Sequence, residues 1–170
     1  MPVGGVQQAT LTVVAPWITR TYRTVAETVP AAPEQVRAFY VDLHHIATVH
    51  PLVVAVHSTG RRDTADGYVE TYRVQDRIPL SVRLVLPISY RVQIVVPTRG
   101  DVTTESRQFP QVRLRSEVSF TATEEGTRLV ENIEFEVPGP LARLTVRQAT
   151  AAHVEMLAGI RRVFAPGQDR

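Results

Sequence analysis

The residues of this 170-residue chain with chemistry to offer are five histidines and a few carboxylates set into apolar patterns. His153 is the most suggestive. It falls inside the apolar arc of a long helical pattern, between Ala149 and Met156. A histidine aimed inward from such a helix can hydrogen-bond a ligand carbonyl or hydroxyl. As a general acid or base it needs a pKa near the working pH and a proton within reach. The plainer alternative is a core histidine bonded to a neighbouring strand, the usual fate of a buried polar group. Glu70, Asp76 and Glu131 pose the same question, each on an otherwise apolar strand face. A carboxylate buried alone costs several kcal/mol. Each must find an arginine, be turned outward by a bulge, stay protonated, or form the polar spot of a pocket. Asp76, beside Arg77, reads as an ion-pair partner. Glu131 and His153 are the one pair that could work together as acid and base.

His44, His45 and His50 crowd into one short stretch, with His57 beyond. A zinc site needs at least three converging ligands. Adjacent histidines on a helix point about 100° apart, and the spacing matches no ligand pattern, so no metal is expected. His44 and His45 read as surface residues near a cavity mouth, with Asp42 as a partner for His45. The chain has no cysteine, which excludes disulfides and thiolate sites. No phosphate-binding glycine loop, dinucleotide fingerprint, zinc-protease helix motif or serine elbow is present, and no cofactor is expected. Tyr68, Tyr72, Tyr90 and Phe120 fall on sheet faces. A buried tyrosine hydroxyl there needs a partner from the core or from a ligand.

These groups need a frame, and the order of elements supplies one. Residues 22–29 alternate as a strand that Pro30 ends. Pro33 then suits a first helical turn, Glu34 suits the positive end of its dipole, and Val36, Phe39, Tyr40 and Leu43 form a helical stripe. A second short helix over 44–49 stops at Pro51. Strand patterns follow over 52–57, 68–78, 89–97, 112–123 and 129–137, with a mostly polar one over 102–108. Turns are expected at Gly60 with Asp66-Gly67, at Arg99-Gly100-Asp101 and over 124–127. Pro79 and Pro87 bracket an irregular stretch or an edge strand. The alternation says that one side of the sheet is covered and the other wet. The last element, over 141–164, is a helix of about 24 residues, roughly 36 Å long. Ala149, Ala152, Met156, Ile160 and Val163 form its apolar stripe, and Gly159 leaves room for a close neighbour.

The length suits one domain, expected over 20–165, with an extension over 1–19 in which residues 10–14 offer a short strand, and a tail over 166–170. All 19 basic residues are arginine, dispersed beside carboxylates, and the net charge is only +2. Without a clustered basic stripe and stacking aromatics, nucleic acid is not an expected partner. Residues 1–19 are uncharged but lack a basic start and are broken by glycines and Pro16. They read as neither a secretory signal nor a membrane span of about 20 apolar residues. No stable membrane insertion, a cytoplasmic location, and a monomer or homodimer are expected.

Three segments and their order carry a family resemblance. Val29-Pro30-Ala31-Ala32-Pro33-Glu34-Gln35-Val36 resembles the strand-to-helix opening of START-like (SRPBCC) proteins. Phe39 to Leu43, followed by Val49-His50-Pro51-Leu52-Val53, is similar to the next helix and the run into the second strand. Gly126-Thr127-Arg128-Leu129-Val130-Glu131 is similar to a hairpin of the same family. Many relatives carry Trp where this chain has His50. The nearest branch in pattern is that of polyketide cyclases/dehydratases and lipid-transport proteins. The resemblance implies an α+β helix-grip fold. A curved seven-stranded antiparallel sheet wraps a long C-terminal helix, with two short helices after the first strand. It also implies an internal cavity for an apolar ligand. Glu70, Tyr72, Tyr90, Val92, Val118, Phe120 and Ile133 would line it from the sheet. Ala149, Met156 and Ile160 would do so from the long helix, and Phe39 and His50 from the short helices. The expected function is carriage or sensing of a lipid or polyketide-like molecule. A cyclase/dehydratase using His153 and Glu131, and a protein-interaction module with a filled core, are the alternatives.

Overall fold

A strand whose apolar residues recur at every second position must bury one face, and a long amphipathic helix must bury one stripe; each solves the other's problem. The computed structural model describes residues 13–15 and 17–167. Its elements are β1 (Val13–Ala15), β2 (Ile18–Val29), α1 (Pro33–Val41), α2 (Leu43–Val49), β3 (Val53–Thr64) and β4 (Gly67–Ser81). There follow β5 (Leu84–Pro97), β6 (Val102–Gln108), β7 (Val112–Thr123), β8 (Gly126–Pro138) and α3 (Gly139–Val163). Seven long strands form the expected antiparallel sheet, and the three-residue β1 adds an eighth at its edge, in the order β1-β2-β8-β7-β6-β5-β4-β3. The strand expected over 10–14 lies partly outside the described residues. β2 begins four residues earlier than residue 22 and pairs with the whole of β8, from Ile18 opposite Pro138 to Val29 opposite Thr127.

Local chemistry fixes the two short helices. Pro33 opens α1, and the Gln35 side chain accepts from the Ala32 N–H at 3.2 Å. Asp42 ends α1 and caps α2, its carboxylate accepting from the His44 N–H at 2.9 Å.

One sequence expectation is corrected and a second is narrowed. Gly60 lies inside β3, at a bulge between Ser58 and Gly60, and the turn falls at Asp66-Gly67 alone. At Gly67 φ is +138°, and a Cβ there would sit 2.1 Å from the Val96 carbonyl oxygen, so glycine is required. Pro79 and Pro87 do not bracket an irregular stretch: β4 and β5 run through both as a two-stranded arm, Arg77 opposite Pro87 and Pro79 opposite Val85. β3 pairs with β4 only as far as Asp76, and β6 joins β5 only from Arg91. Beyond those points the arm has no further strand beside it, and a missing proline N–H leaves no ladder bond unmade.

The inner face of the sheet holds Val29, Ile94, Val102, Val118, Leu129, Ile133 and Phe135, all essentially inaccessible. Against it pack Val36 and Tyr40 of α1 and Met156, Leu157 and Ile160 of α3. The helices meet at Gly159, where an added Cβ would lie 2.7 Å from Val49 Cβ and 3.2 Å from its carbonyl oxygen. Gly159→Ala should therefore destabilise the fold by about 1–3 kcal/mol through overpacking, despite the ~1 kcal/mol gain in helix propensity. Urea unfolding checks this; a more stable variant would contradict the close α2–α3 approach.

Candidate functional site

Between the inner sheet face and the first half of α3 the packing opens. The cavity offers about 180 Å³ to the centre of a water-sized sphere. At a water's share of about 30 Å³, it has room for about six waters, or an organic molecule of about one ring. Val56, Val74, Val92, Val112, Leu114, Ile133 and Met156 make most of its wall apolar. The polar remainder gathers on three sides: Asp76 and Tyr90 on β4 and β5, Thr104, Ser106 and Gln108 on β6, and His50 with His153 on the helix side. A larger depression, about 680 Å³, lies on the outer sheet face between Tyr22, Glu105, Arg115 and Glu134. It is an open surface hollow, and two of its charged residues are already engaged with each other, Arg115 lying 3.2 Å from Glu105.

Glu131 is the buried carboxylate of β8, with no exposed surface. Its Oε2 lies 2.9 Å from His153 Nδ1, and its Oε1 accepts from the Tyr40 hydroxyl at 3.2 Å. Burial pushes both ionisable groups toward neutrality, but each charge holds the other. The Glu131 carboxyl stays below its ordinary range, and the His153 imidazole sits above its own. The pair is therefore an imidazolium on a carboxylate. With Nδ1 so engaged, His153 Nε2–H makes no hydrogen bond among the described residues.

His50 behaves oppositely. Its ring stands edge-on to that of His153, with centroids 5.9 Å apart. Burial first, and then the neighbouring His153 charge, push its pKa down to about 3. Its Nδ1 accepts from the Leu52 N–H at 3.3 Å, so the neutral ring carries its proton on Nε2. Across the cavity, Asp76 Oδ2 accepts from the Tyr90 hydroxyl at 2.9 Å, while Oδ1 is buried without a partner among the described residues. Burial raises Asp76 to about 6. The cavity thus presents two N–H donors on one side and an unsatisfied carboxylate oxygen on the other.

The residues expected at the site divide into two groups. Tyr90, Val92, Ile133, Ala149, Met156, His50, His153 and Glu131 line the cavity. Six expected lining residues do not. Val118 and Ile160 are wholly buried in the packed end. Phe120 stacks edge-on with Tyr40 at 5.7 Å, Phe39 stacks on His45 at 5.0 Å, and Tyr72 meets the His44 ring at 5.9 Å. Glu70 accepts from the Ser58 hydroxyl at 2.9 Å at the β3 edge. The physical reason is that alternation assigns a face, not a depth along the strand, and the hollow occupies one end of the inner face only. His44 and His45 both flank Asp42, at 3.1 and 3.7 Å, half exposed, and His57 is exposed on β3. Asp76 finds no arginine; it is the cavity carboxylate. Thr104, Ser106 and Gln108 were legible as an every-second-residue pattern on β6, once that strand's polar face is recognised as a cavity wall.

A curved antiparallel sheet gripping a long helix over an internal cavity defines the START-like class. Within that class the chain belongs to the polyketide cyclase/dehydrase and lipid transport family, whose pattern matches residues 10–164. Similar solved structures include the Zhui aromatase/cyclase from Streptomyces sp. R1128, at 15% identity and TM-score 0.62, covering 88% of this chain and 98% of that one. A START superfamily protein from Mycobacterium smegmatis shares 15% identity at TM-score 0.62, covering 86% and 99%. A STAR-related lipid transfer protein from Xanthomonas axonopodis shares 15% at TM-score 0.55, covering 92% and 98%. At these identities the likeness is one of fold. Among proteins of curated function, none matches the chain by sequence.

Asp76 yields a pH prediction. Its folded pKa, about 6, is raised above the ordinary value of 3.8. Stability tied to its protonated form is then complete below pH ~4 and is lost as pH rises through ~6, by roughly 3 kcal/mol at most. Asp76→Asn should be more stable than the wild type at pH 7.5, with the difference shrinking toward pH 4. Urea unfolding of both proteins across that window measures it, and a constant difference would show that Asp76 is not the group responsible.

Proposed function

We propose that the protein binds a small hydrophobic molecule carrying a hydroxyl at one end and a carbonyl at the other. The observation that carries this reading is the largely apolar cavity, lined by Asp76, whose Oδ1 has no partner among the described residues, and by His153 and His50. Apolar burial supplies most of the affinity, at about 25 cal/mol per Å² before ordering costs. A ligand hydroxyl donating to Asp76 Oδ1 satisfies the orphaned oxygen. A carbonyl accepting from His153 sets the ligand's direction. Single-ring hydroxyketones and phenols have the right size and polarity. The family description, polyketide cyclase/dehydrase and lipid transport, supports ligands of this kind.

Ala149 lines the cavity from α3. Ala149→Trp should fill it and lower affinity for an environment-sensitive single-ring dye at least about tenfold, while the thermal midpoint stays within a few degrees. Native mass spectrometry of the unmodified protein after incubation with host lipid extract provides the second arm. Failure to retain any apolar compound, together with dye binding unaffected by Ala149→Trp, would remove the reading.

One observation favours a catalytic version. Asp76, with a pKa near 6, can take a proton at neutral pH, and the His153 cation can stabilise a developing oxyanion. Glu131, fully buried and bonded to both His153 and Tyr40, acts through His153 as a positioning residue rather than as the base. On this version, a bound ketone in D₂O exchanges its α-hydrogens for deuterium, and Asp76→Asn slows the exchange by about a hundredfold while leaving dye binding intact. Exchange at the uncatalysed rate in the wild type restricts the protein to binding.

A further inference from the structure

Most of the large apolar side chains exposed among the described residues lie at one end of the molecule. The strand register places them there. The β4–β5 arm ends at Ser81 opposite Leu84. The β6–β7 turn follows Gln108 opposite Val112. The β1–β2 turn lies beside the start of α3, where Gly139 N–H donates to the Trp17 carbonyl. The arm exposes Leu80, Val82, Leu84 and Leu86, with Val82 fully in solvent. The β6–β7 turn holds Phe109, 90% exposed. Trp17 is half exposed, and Leu141 and Leu144 continue the surface along the first turns of α3. Elsewhere such residues are scattered singly, as on any protein. The same end carries Arg77, Arg83, Arg143 and Arg147, all exposed and without an ion pair among the described residues. Its acids are spent: Asp76 is buried, and Glu136 is held by Arg20 and Arg113.

We infer that this end docks on an anionic phospholipid bilayer. The apolar side chains stand on separate projecting turns from three parts of the fold rather than around a groove. A fluid interface can receive such tips independently, whereas a folded partner would need a matching set of pits. A tryptophan among aliphatic tips, ringed by unpaired arginines, matches the layered polarity of a headgroup region. No described helix is long and apolar enough to cross a membrane. The arm's unpaired strand edges bar deep entry, because unsatisfied backbone groups are not tolerated in the hydrocarbon core. Docking is therefore interfacial, with the tip around Ser81–Leu84 entering about 5–10 Å. This inference does not depend on what the cavity binds. The outermost cavity residues, Ile78, Gln108, Thr145 and Gln148, nonetheless belong to the same end.

Trp17 is the only tryptophan in the chain, so its fluorescence reports this surface alone. With vesicles of equal parts phosphatidylcholine and phosphatidylglycerol, the protein should co-sediment and its emission should shift to the blue. Phosphatidylcholine alone or high salt should weaken both effects. Arg83→Ala and Arg147→Ala should each lower the partition coefficient roughly fivefold. The double substitution Val82→Asp and Leu84→Asp, at positions too exposed to threaten folding, should lower it tenfold or more. Ala149→Trp, read by co-sedimentation because it adds a second tryptophan, should leave the partition coefficient unchanged, which separates docking from cavity binding. Unshifted emission and no sedimentation with the mixed vesicles would overturn the inference. So would equal binding by the aspartate double variant. A wild-type dimer that this variant dissolves, with no vesicle affinity, would assign the surface to a second copy of the chain instead.

Discussion

A carboxylate sits without solvent in the middle of this sheet, and the rest of the interior is arranged around answering it. Glu131 lies on β8 between Val25 of β2 and Val118 of β7, positions that offer it nothing polar. Its two oxygens are met chiefly from outside the sheet, by Tyr40 of α1 and His153 of α3, with the Ser116 hydroxyl of β7 adding to its stabilisation. A buried charge deprived of its partner destabilises a protein by several kcal/mol, so the contact fixes where α3 lies along the sheet and which face it turns inward. Tyr40 does the same for α1. Three elements that are distant in sequence are held in one relation by a single side chain.

What that relation produces is an interior of two unlike halves. Beyond His153, α3 turns Met156, Leu157 and Ile160 onto the sheet, and Gly159 lets Val49 of α2 come against its backbone. Before His153, the cavity-lining residues are Thr145, Gln148, Ala149 and Ala152; all but Gln148, which bonds the arm at Pro79, are too short to reach the strands opposite. Facing them, β6 turns Thr104, Ser106 and Gln108 inward where a dry core would need aliphatic side chains. Collapse onto that wall would bury polar groups without partners. Side-chain length on the helix and polarity on the strand therefore keep the same space open from both sides.

Much of this was readable in advance, and the failures share one cause. Alternation along the strands, the stop signals at Pro30 and Pro51, and the single long terminal pattern located the sheet, the short helices and α3 to within a few residues, apart from β3, which runs on to Thr64, and β5, which starts at Leu84 rather than at residue 89. The pairing of His153 with Glu131 was legible because each was the sole polar interruption of its own apolar stripe. Depth along a strand was not legible. Val118 and Phe120 share the inner face with Glu131 yet fall in the packed half, and nothing in a period of two distinguishes the halves. Asp76 was assigned to an arginine because the chain is rich in them. The geometry gives it Tyr90 on the adjacent strand instead, a cross-strand pairing that only the register reveals. Pro79 and Pro87 left an irregular stretch and an edge strand both open; the register decides for the edge, since each lies on an arm with no outer neighbour among the described residues.

The arm also joins the two proposals physically. It is tied to α3 by Gln148 Nε2, which donates to the Pro79 carbonyl at 2.8 Å, across the outer part of the cavity. One wall of the cavity and the most exposed apolar tip thus belong to the same two strands, and a bilayer that takes up the tip lies against that wall. If both proposals hold, an apolar molecule leaving the membrane there would pass from acyl chains to the side chains of the arm and on to the cavity. It never exposes its full surface to water, whose cost of about 25 cal/mol per Å² is the main barrier to such a transfer. The polar pair of Asp76 and His153 lies deeper, where the molecule's own hydroxyl and carbonyl are the last parts to give up water and the first to regain hydrogen bonds. The order of environments along that path follows from three facts already fixed by the chain: an arm that outruns its neighbours, a helix that begins with short side chains, and a histidine placed where the helix begins to pack.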